Sequence, residues 1–310
     1  MAAAAEQSSA PRRLGFPDIE ALKRLSVALN WPHTHEDWQT ILLSGMVYGV
    51  RAVDGPARAE IDACAALFPY GSPGGPNCCV LGMVMVAPHA RRRGLGQRVV
   101  QHCLDARSPA TVPVYLASTA QGLALYEGLG FRPVGHLSKM LADGPLSAPC
   151  GQLPSDWTIQ DNIAMADFGP VLTLDRAAFG ASRDGFLKHR IGQAAAHAGV
   201  RDVSGNLVGF GLAVRQGDLL IVGPIAVADD RAVLALVHHL AQGHDGPIRI
   251  DVPDSRPALP GALEALGFRL TEQPPVMALG GAGDAAGLPG NGLPGNGWRD
   301  YAAISAQAFL

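Results

Sequence analysis

Apolar and polar positions change their spacing from block to block along the chain, and these changes predict a mixture of strands and helices. The run CCVLGMVMV (78–86) is apolar throughout, which is typical of a strand buried on both faces. Shortly after it, Leu95, Val99, Val100 and Cys103 recur at the spacing of one helical face. The sequence therefore predicts an amphipathic helix directly after the strand and its turn.

The other blocks of the first half follow the same rules. Thr34 and Asp37 have the spacing of a capping box, which predicts a helix that continues to about Ser44. A second helix is predicted from about Thr119 to Gly130, a residue suited to a left-handed C-terminal cap. Strands are predicted for MVYGVRAV (46–53), EIDACAALF (60–68), TVPVYLA (111–117) and FRPVGHLSKML (131–141), with YGSPGGPN (70–77) as a loop.

The second half repeats this order of blocks. DLLIVGPIAV (218–227) has the composition of an apolar strand, and an amphipathic helix and another strand follow it. The phrase LYEGLGF (125–131) returns as ALEALGF (262–268), although Leu263 stands where the first phrase has Tyr126. A repeat of this length indicates that one architecture is present twice.

Length and composition narrow the class of protein. A chain of 310 residues exceeds one typical domain of ~100–150 residues, so two domains are expected. The formal net charge of −3 gives no sign of a nucleic-acid partner. The five cysteines form no metal-binding spacing, and no apolar run reaches the ~18 residues of a membrane-spanning helix. The first residues lack the pattern of a signal peptide, so we expect a soluble, cytoplasmic protein without a metal.

The stretch VLGMVMVAPHARRRGLGQRVV (80–100) carries the clearest chemistry. Its strand and turn lead to a helix start at Gly94 and Gly96, where unpaired backbone N–H groups and the helix dipole favour a phosphate. A third glycine and a Gly-Lys-Ser/Thr sequence are both missing, which excludes the dinucleotide fingerprint and the nucleoside-triphosphate loop. The alternative is that Arg91, Arg92 and Arg93 begin a helix on a solvated face. The preceding strand favours the phosphate site.

These residues resemble a known family. The pattern Arg91-x-x-Gly94-x-Gly96 after an apolar strand is similar to the coenzyme-A pyrophosphate loop of the GNAT superfamily of N-acetyltransferases. LYEGLGF resembles the second signature of that family, and NWPHTHEDW (30–38) resembles the lead-in of its bacterial tandem members. The resemblance implies direct acetyl transfer from acetyl-CoA to an amine. It also implies an α/β (α+β) fold of two tandem GNAT-like domains, each a mixed, mostly antiparallel sheet flanked by helices.

The resemblance implies roles for individual residues of the first half. The strand Val84–Val86 pairs with the pantetheine arm, and a backbone N–H near Met85 holds the oxyanion. Tyr126 protonates the departing thiolate, the alternative being a core aromatic residue. The expected cofactor contacts are Val84, Met85, Val86, Arg91, Arg92, Arg93, Gly94, Leu95, Gly96, Gln97, Arg98, Thr119, Gly122 and Tyr126.

The general base is left open by the sequence, because residues 80–86 contain no carboxylate. A water relay or a residue of another segment must accept the proton. Glu60, Asp62, His33 and His35 are the candidates, and each is otherwise a surface or turn residue.

The second copy lacks the chemical residues of the first. Gly223–Val227 aligns with Gly82–Val86, but 45 positions separate Gly223 from Phe268 whereas 49 separate Gly82 from Phe131. The four missing positions fall at the phosphate loop, where Asp229 and Asp230 should cap the helix and repel a pyrophosphate.

We therefore predict a catalytic domain at 14–141, a linker at 142–156 and a degenerate domain at 157–310. Asp175 and Arg183 are expected to form a structural pair in the second domain, with a substrate contact as the alternative. A small-molecule N-acetyltransferase is the leading function. A non-catalytic CoA or acyl-CoA sensor and a protein or peptide N-acetyltransferase are the other hypotheses, and the acceptor itself is not identified by the sequence.

Overall fold

The structure is a computed structural model that describes residues 10–31, 33–51, 60–72, 75–147, 153–154, 156–280 and 298–310. These residues form the α-helices α1 (Ile19–Val27), α2 (His35–Ser44), α3 (Leu95–Asp105), α4 (Leu123–Gly128), α5 (Phe168–Phe179), α6 (Asp184–Gln193), α7 (Asp230–Leu240) and α8 (Leu259–Glu264). They also form the strands β1 (Arg12–Arg13), β2 (Met46–Arg51), β3 (Ile61–Ser72), β4 (Gly75–Val86), β5 (Val114–Ala117), β6 (Arg132–Ala142), β7 (Thr158–Asp161), β8 (Ala196–Arg201), β9 (Leu207–Gln216), β10 (Leu219–Val227), β11 (Ile248–Pro253), β12 (Arg269–Glu272), β13 (Pro275–Leu279) and β14 (Tyr301–Ala303).

Local sequence signals fix several of these elements. The Thr34 hydroxyl accepts a hydrogen bond from the Asp37 N–H (3.1 Å), and the Asp37 carboxylate accepts one from the Thr34 N–H (2.9 Å). This capping box starts α2, as predicted. In α3, the buried face consists of Leu95, Val99, Val100, Cys103 and Leu104, which confirms the predicted amphipathic helix.

Two local predictions were wrong. YGSPGGPN was predicted as a loop, but β3 and β4 run on through most of it and pair Tyr70 with Cys78. Pairing between long neighbouring strands outweighs the local turn preference of these residues. The helix predicted from about Thr119 begins at Leu123, because Thr119 starts a turn in which its carbonyl accepts the Gly122 N–H (3.0 Å).

Other predictions lie partly or wholly outside the described residues. The end of the strand predicted at 46–53, the segment DGPA (54–57) that follows it, Cys150 and part of the predicted linker are among them. The remaining first-half strands and the predicted second-half elements are present. The structure adds β1, α5, β7, β12, β13 and β14, which the sequence pattern did not predict.

The strands form two similar sheets joined edge to edge. The first follows the order β1-β2-β3-β4-β5-β13-β6, and the second continues as β6-β11-β10-β9-β8-β7, with β12 also on β6. Among the pairings of the described residues, β4 with β5 and β10 with β11 are parallel and the others are antiparallel. The structure thus has the mixed, mostly antiparallel sheets with flanking helices that the resemblance implied.

The two halves exchange strands through β6 and β13. The first part of β6 pairs with β13, in a ladder from Arg132–Ala278 to His136–Pro275, and β13 also pairs with β5. The second part of β6, from Leu137 onward, pairs with β11 and β12. Each sheet therefore contains one strand that lies on the far side of the predicted linker in sequence.

The hydrophobic core follows the same exchange. The larger buried cluster combines first-half side chains such as Trp38 and Phe68 with Phe179, Phe186 and Trp298 of the second half. A smaller cluster lies under α7 and α8 and includes Met140 of β6. Residues 298–310, hereafter the closing segment, supply Trp298, Tyr301, Ile304 and Phe309 to the larger cluster, so this apolar stretch packs back on the core.

Candidate active site

A β-bulge in β4 opens the first sheet next to the predicted phosphate loop. Cys64 of β3 pairs with Met85 and Ala66 pairs with Gly82, so β4 contains one more residue than β3 between these pairs. Met83, within the bulge, has a left-handed backbone (φ 52°). Beyond it, Met85 and Val86 pair with β3 on one side, whereas β5 pairs only with Cys79 and Val80 among the described residues. The strand edge beyond the bulge therefore faces a cleft.

The start of α3 presents backbone N–H groups at the end of the same strand. The first backbone hydrogen bond at this end runs from the Arg98 N–H to the Gly94 carbonyl (3.1 Å), and no side chain caps the helix. Within the described residues, the N–H groups of Leu95, Gly96 and Gln97 thus have no backbone acceptor. A helix start with unpaired N–H groups of this kind can bind an anion such as a phosphate.

The turn before α3 adds positive charge and a curved backbone next to these N–H groups. Arg91, Arg92 and Arg93 are exposed in the turn before α3. Arg92 (φ 60°) and Gly94 (φ 73°) both adopt left-handed backbone, which curls the turn back on itself. The result is a compact basic loop around the unpaired N–H groups, the arrangement expected of a pyrophosphate cradle.

Gly96 brings the loop, β4 and α4 together. A Cβ at this position would lie 3.4 Å from Val86 Cγ2 and 3.6 Å from Leu125 Cδ2. The helix start is therefore in contact distance of the end of β4 and of the residue that precedes Tyr126. A large side chain at residue 96 would occupy the space where these elements meet.

Tyr126 lies on the buried side of α4. Its ring meets Phe131 edge to face, with 5.8 Å between centroids, and within the described residues its hydroxyl has no hydrogen-bond partner. Burial raises the pKa of the Tyr126 phenol above its usual value, which keeps the phenol neutral. Gly122 leaves room for this ring, since a Cβ there would lie 2.9 Å from Tyr126 Cε2. Thr119 and Gly122 form the turn between β5 and α4.

The second copy repeats the backbone of this site. Gly223 (φ 150°) lies in a register shift between Val222 and Ile225, at the position that aligns with the first bulge. Both copies of the repeated phrase end their helix in the same way. The Phe131 N–H donates to the Tyr126 carbonyl (3.0 Å) and the Phe268 N–H donates to the Leu263 carbonyl (3.2 Å), around the left-handed Gly130 and Gly267.

The second cleft is filled by the protein itself. Strand β14 of the closing segment pairs with Ile225 and Ala226, and the Val227 N–H donates to the Asp300 carbonyl (3.0 Å). These residues align with Val84–Val86 of the first copy. The edge of β10 that would pair with a pantetheine arm is thus paired with the chain's own backbone.

The second helix start is also closed. Asp229 caps α7 by accepting a hydrogen bond from the Arg231 N–H (2.8 Å), as predicted. Asp230 instead forms an ion pair with the buried Arg256, whose guanidinium also donates to the Ala228 carbonyl (2.8 Å). A side chain of the protein and a capping carboxylate thus occupy the region where the first copy has a basic loop.

Comparison with known proteins agrees with this duplicated geometry. Two sequence profiles, each described as an acetyltransferase (GNAT) domain, match residues 50–133 and residues 171–285. The chain belongs to the GNAT superfamily, as a tandem protein with two GNAT domains. The uncharacterized N-acetyltransferase YitH of Bacillus subtilis is 28% identical to this tandem GNAT chain over 260 residues, which are 84% of this chain and 87% of YitH.

Solved structures share the fold of the tandem GNAT chain. An acetyltransferase candidate from Pyrococcus horikoshii has a TM-score of 0.74 at 17% identity, covering 98% of this chain and 96% of that one. A tandem GNAT protein from the clavulanic acid biosynthesis pathway has a TM-score of 0.62 at 14% identity, covering 87% and 98%. At these identities the likeness concerns the fold alone.

Three of the four base candidates of the tandem GNAT chain are engaged with other side chains. Glu60 pairs with Arg24 (2.9 Å), and His35 lies 3.3 Å from Glu20. The buried Asp62 lies 2.9 Å from His89, at the entrance to the basic loop. These contacts stabilise local structure at or near the surface.

His33, the fourth candidate, is half-buried between two indole rings. Its ring is between Trp31 and Trp38, with centroids 6.2 and 5.9 Å away, and its Nδ1 is buried without a partner among the described residues. Burial lowers the pKa of His33, and the nearby Asp37 carboxylate partly opposes this shift. The indole of Trp38 is fully buried, in keeping with a packing role.

Asp175 and Arg183 of the tandem GNAT chain form a buried structural pair, as expected. The guanidinium makes two hydrogen bonds to the carboxylate, at 2.9 and 2.8 Å. It also donates to the Tyr301 hydroxyl and to the Leu310 carbonyl, both at 2.7 Å. The pair therefore fixes the closing segment against α5 and α6.

The cysteine thiols of the described residues are reduced and buried, and the helices are short. Cys64, Cys78, Cys79 and Cys103 are buried free thiols, and burial raises the pKa of each. None of the helices in the described ranges is long and apolar enough to cross a membrane.

Proposed function

We propose that the protein is an acetyl-CoA-dependent N-acetyltransferase in which the first copy, residues 14–141, performs the reaction on a small amine. The observation that carries the proposal is the convergence of three features at one cleft: an open strand edge, an uncapped basic helix start, and the buried phenol of Tyr126. Residues 157–310 form the degenerate copy, with the division between the two at 142–156.

The cofactor contacts in this proposal follow the geometry of the cleft. Arg91–Arg98 binds the pyrophosphate of acetyl-CoA through backbone N–H groups and guanidinium groups. Val84–Val86 pairs with the pantetheine arm, and Thr119 and Gly122 border it from the turn before α4. The position of α3 and α4 around Gly96 supports a single ligand that contacts all of these segments.

The proposed reaction is direct acyl transfer. The neutral amine attacks the thioester carbonyl, so a C–N bond forms and the C–S bond breaks. The backbone N–H near Met85 stabilises the oxyanion of the tetrahedral intermediate. The proton of the ammonium passes to a base or to a water relay, and the departing thiolate takes a proton from Tyr126. The raised pKa of Tyr126 supports this role because the acid remains protonated at neutral pH.

The second copy has a structural role in this proposal and binds no cofactor. The Asp229 cap, the Arg256 guanidinium and strand β14 each stand where the first copy would contact acetyl-CoA. The closing segment also crosses the face of the first sheet at Gly82, which favours a small acceptor over a folded protein. Four buried free thiols support a reducing, cytoplasmic environment.

Calorimetric titration with acetyl-CoA tests the proposal. We expect one site per chain in the wild type and no binding in an Arg91→Glu/Gly96→Glu variant, which reverses one charge and fills the cradle. Arg231→Glu, a charge reversal at the exposed start of α7, is the matched control and should retain wild-type affinity. Two sites per chain would contradict the assignment of the second copy. A wild type that does not bind acetyl-CoA would contradict the function.

A further inference from the structure

The closing segment connects the bulges of the two copies. A Cβ at Gly223 would collide with the Ile304 carbonyl oxygen, and a Cβ at Gly82 would collide with the Ala308 carbonyl oxygen. Gly82 and Gly223 are aligned positions of the repeat. The segment thus passes from one bulge to the other within four residues, and both glycines are required by its close approach.

The second copy anchors one end of this passage. Beyond β14, the Ile304 N–H donates to the Asp251 carbonyl of β11 (3.1 Å). The buried Arg190 of α6 donates to the Ser305 hydroxyl (3.1 Å) and to the Ser305 carbonyl (3.2 Å). The polar groups of Ser305 therefore have partners within the protein, and the direction of the following residues is set from the second half.

The first copy receives the other end. Residues 306–309 form a turn closed by a hydrogen bond from the Phe309 N–H to the Ala306 carbonyl (2.9 Å). The Phe309 ring packs on Phe68 of β3 and Phe186 of α6, with centroids 5.0 and 4.7 Å apart. The turn is thereby held on the face of the first sheet, with Gln307 at its second position.

Gln307 carries a polar group without a partner at this place. Its side-chain Nε2 is buried and has no hydrogen-bond partner among the described residues. Ala308 Cα lies 3.0 Å from the Cβ position of Gly82. Because consecutive Cα atoms are about 3.8 Å apart, Gln307 Cα lies within about 7 Å of that position. Met83 and the open edge Val84–Val86 follow Gly82 directly.

We propose that Gln307 is an acceptor-binding residue of the first copy's site, presented there by a segment anchored in the second copy's cleft. The inference rests on the proposed acetyltransferase function. A buried amide donor without a partner is unfavourable, and an oxygen atom of a bound molecule would satisfy it. The acceptor is therefore an amine that carries a hydroxyl, carbonyl or carboxylate oxygen near its nitrogen.

This assignment gives the degenerate copy a function. In this copy, strands β10 and β11 diverge. The opening between them holds β14 instead of a pantetheine arm. The first copy alone would lack the wall that faces its bulge. The second copy thus contributes to the specificity of the first site without taking part in the chemistry.

Acetyl transfer to a panel of amines tests the proposal, with thiol release from acetyl-CoA as the readout. The panel pairs glucosamine, ethanolamine and serine with butylamine and putrescine, which have no oxygen. We expect transfer to an oxygen-bearing amine. Gln307→Ala and Gln307→Met, which keeps the length but not the donor, should raise the KM for that amine about three- to tenfold at nearly unchanged kcat.

Two further variants make the test specific. Gln216→Ala removes an inter-half carboxamide that already donates to Asp37 (3.3 Å), and it should retain the wild-type KM. Gly82→Ala forces the turn away from the bulge and should raise the KM as the Gln307 variants do, while the Kd for acetyl-CoA remains unchanged.

The failures of the two proposals are distinguishable. Efficient transfer to oxygen-free amines, or a wild-type KM in both Gln307 variants, would overturn the role of Gln307 and leave the acetyltransferase function intact. Absence of transfer from bound acetyl-CoA to every amine would contradict the function itself, and the role of Gln307 would fall with it.

Discussion

Tyr126 and Leu263 occupy the same position of the two repeated phrases. The carbonyl of each residue accepts the hydrogen bond that closes its helix end, and both helices stop on a left-handed glycine. The residues that the two phrases share are therefore the ones that determine the backbone conformation. The phenol is not needed for that shape, so its presence in the first copy and absence from the second fit the chemical role proposed for it.

Replacing the phenol tests this role directly. Tyr126→Phe should lower kcat by about a hundredfold or more, because general acid catalysis contributes about 10²–10⁴ to such rates. The Kd for acetyl-CoA should not change, since the ring and its packing on Phe131 remain. Steady-state rates and calorimetry measure the two effects.

A second buried phenol provides the control for this variant. Tyr115 of β5 has a buried hydroxyl without a partner in the described chain, and Tyr115→Phe should keep kcat within about twofold. Burial raises the pKa of Tyr126 above its ordinary value, so the acid should remain protonated as the pH rises from 7 to 9. A wild-type kcat in Tyr126→Phe would remove the phenol from the mechanism.

At the scale of elements, local patterns predicted most helices and strands, and long-range pairing explains the misses. The capping box of α2 and the apolar face of α3 are properties of a few neighbouring residues, which a sequence displays. Strand β13 is short, and its place between β5 and β6 depends on residues more than a hundred positions away. No local spacing encodes such a partner.

The candidate site was predictable to the same extent. The basic loop and the Tyr126 helix are contiguous motifs, so the sequence alone could propose them as the cofactor side of the site. Gln307 lies in an apolar tail without periodicity, and its position depends on two glycines that are distant in sequence. The aligned Gly82 and Gly223 were visible as a repeat, but only the structure shows that one segment contacts both.

The cap at the start of α7 allows a prediction about the stability of the fold. Asp229→Ala removes the carboxylate that accepts the Arg231 N–H, and loss of such a cap costs about 1 kcal/mol of unfolding free energy. Asp245→Ala, at an exposed loop position after α7, is the control and should cost less than about 0.5 kcal/mol. Urea unfolding at pH 7 measures both values.

The effect of Asp229 should depend on pH in a defined direction. Its hydrogen bond to Arg231 lowers the pKa of Asp229 in the folded protein. The carboxylate therefore stabilises the fold above its unfolded pKa of about 3.9, and this contribution disappears as the pH falls through the lower folded value. The difference between wild type and Asp229→Ala should shrink below about pH 4. A constant difference down to pH 2 would contradict the capping role.

For the whole molecule, the exchange of β6 and β13 predicts that both halves unfold together. Neither sheet is complete without a strand from the other half, and the larger core contains side chains of both. We expect one transition in urea, with coincident curves from tryptophan fluorescence and far-UV circular dichroism.

A core substitution in the second half makes this expectation quantitative. Leu236→Ala, on the buried face of α7, should lower the unfolding free energy by about 2–5 kcal/mol and shift the single transition as a whole. Two separated transitions, with only one displaced by the substitution, would show that the halves are independent. The dependence of the unfolding free energy on urea concentration (the m-value) should correspond to the surface exposed by unfolding the full chain rather than half of it.

The exchanged strands also constrain how such a gene can change. A duplicated domain that folds independently can be deleted or recombined into another protein without destabilising the other copy. Here, removal of either half would leave the survivor with an unpaired sheet edge and an exposed core. Substitutions can alter the side chains of the second copy one residue at a time, whereas its strands are inherited together with those of the first.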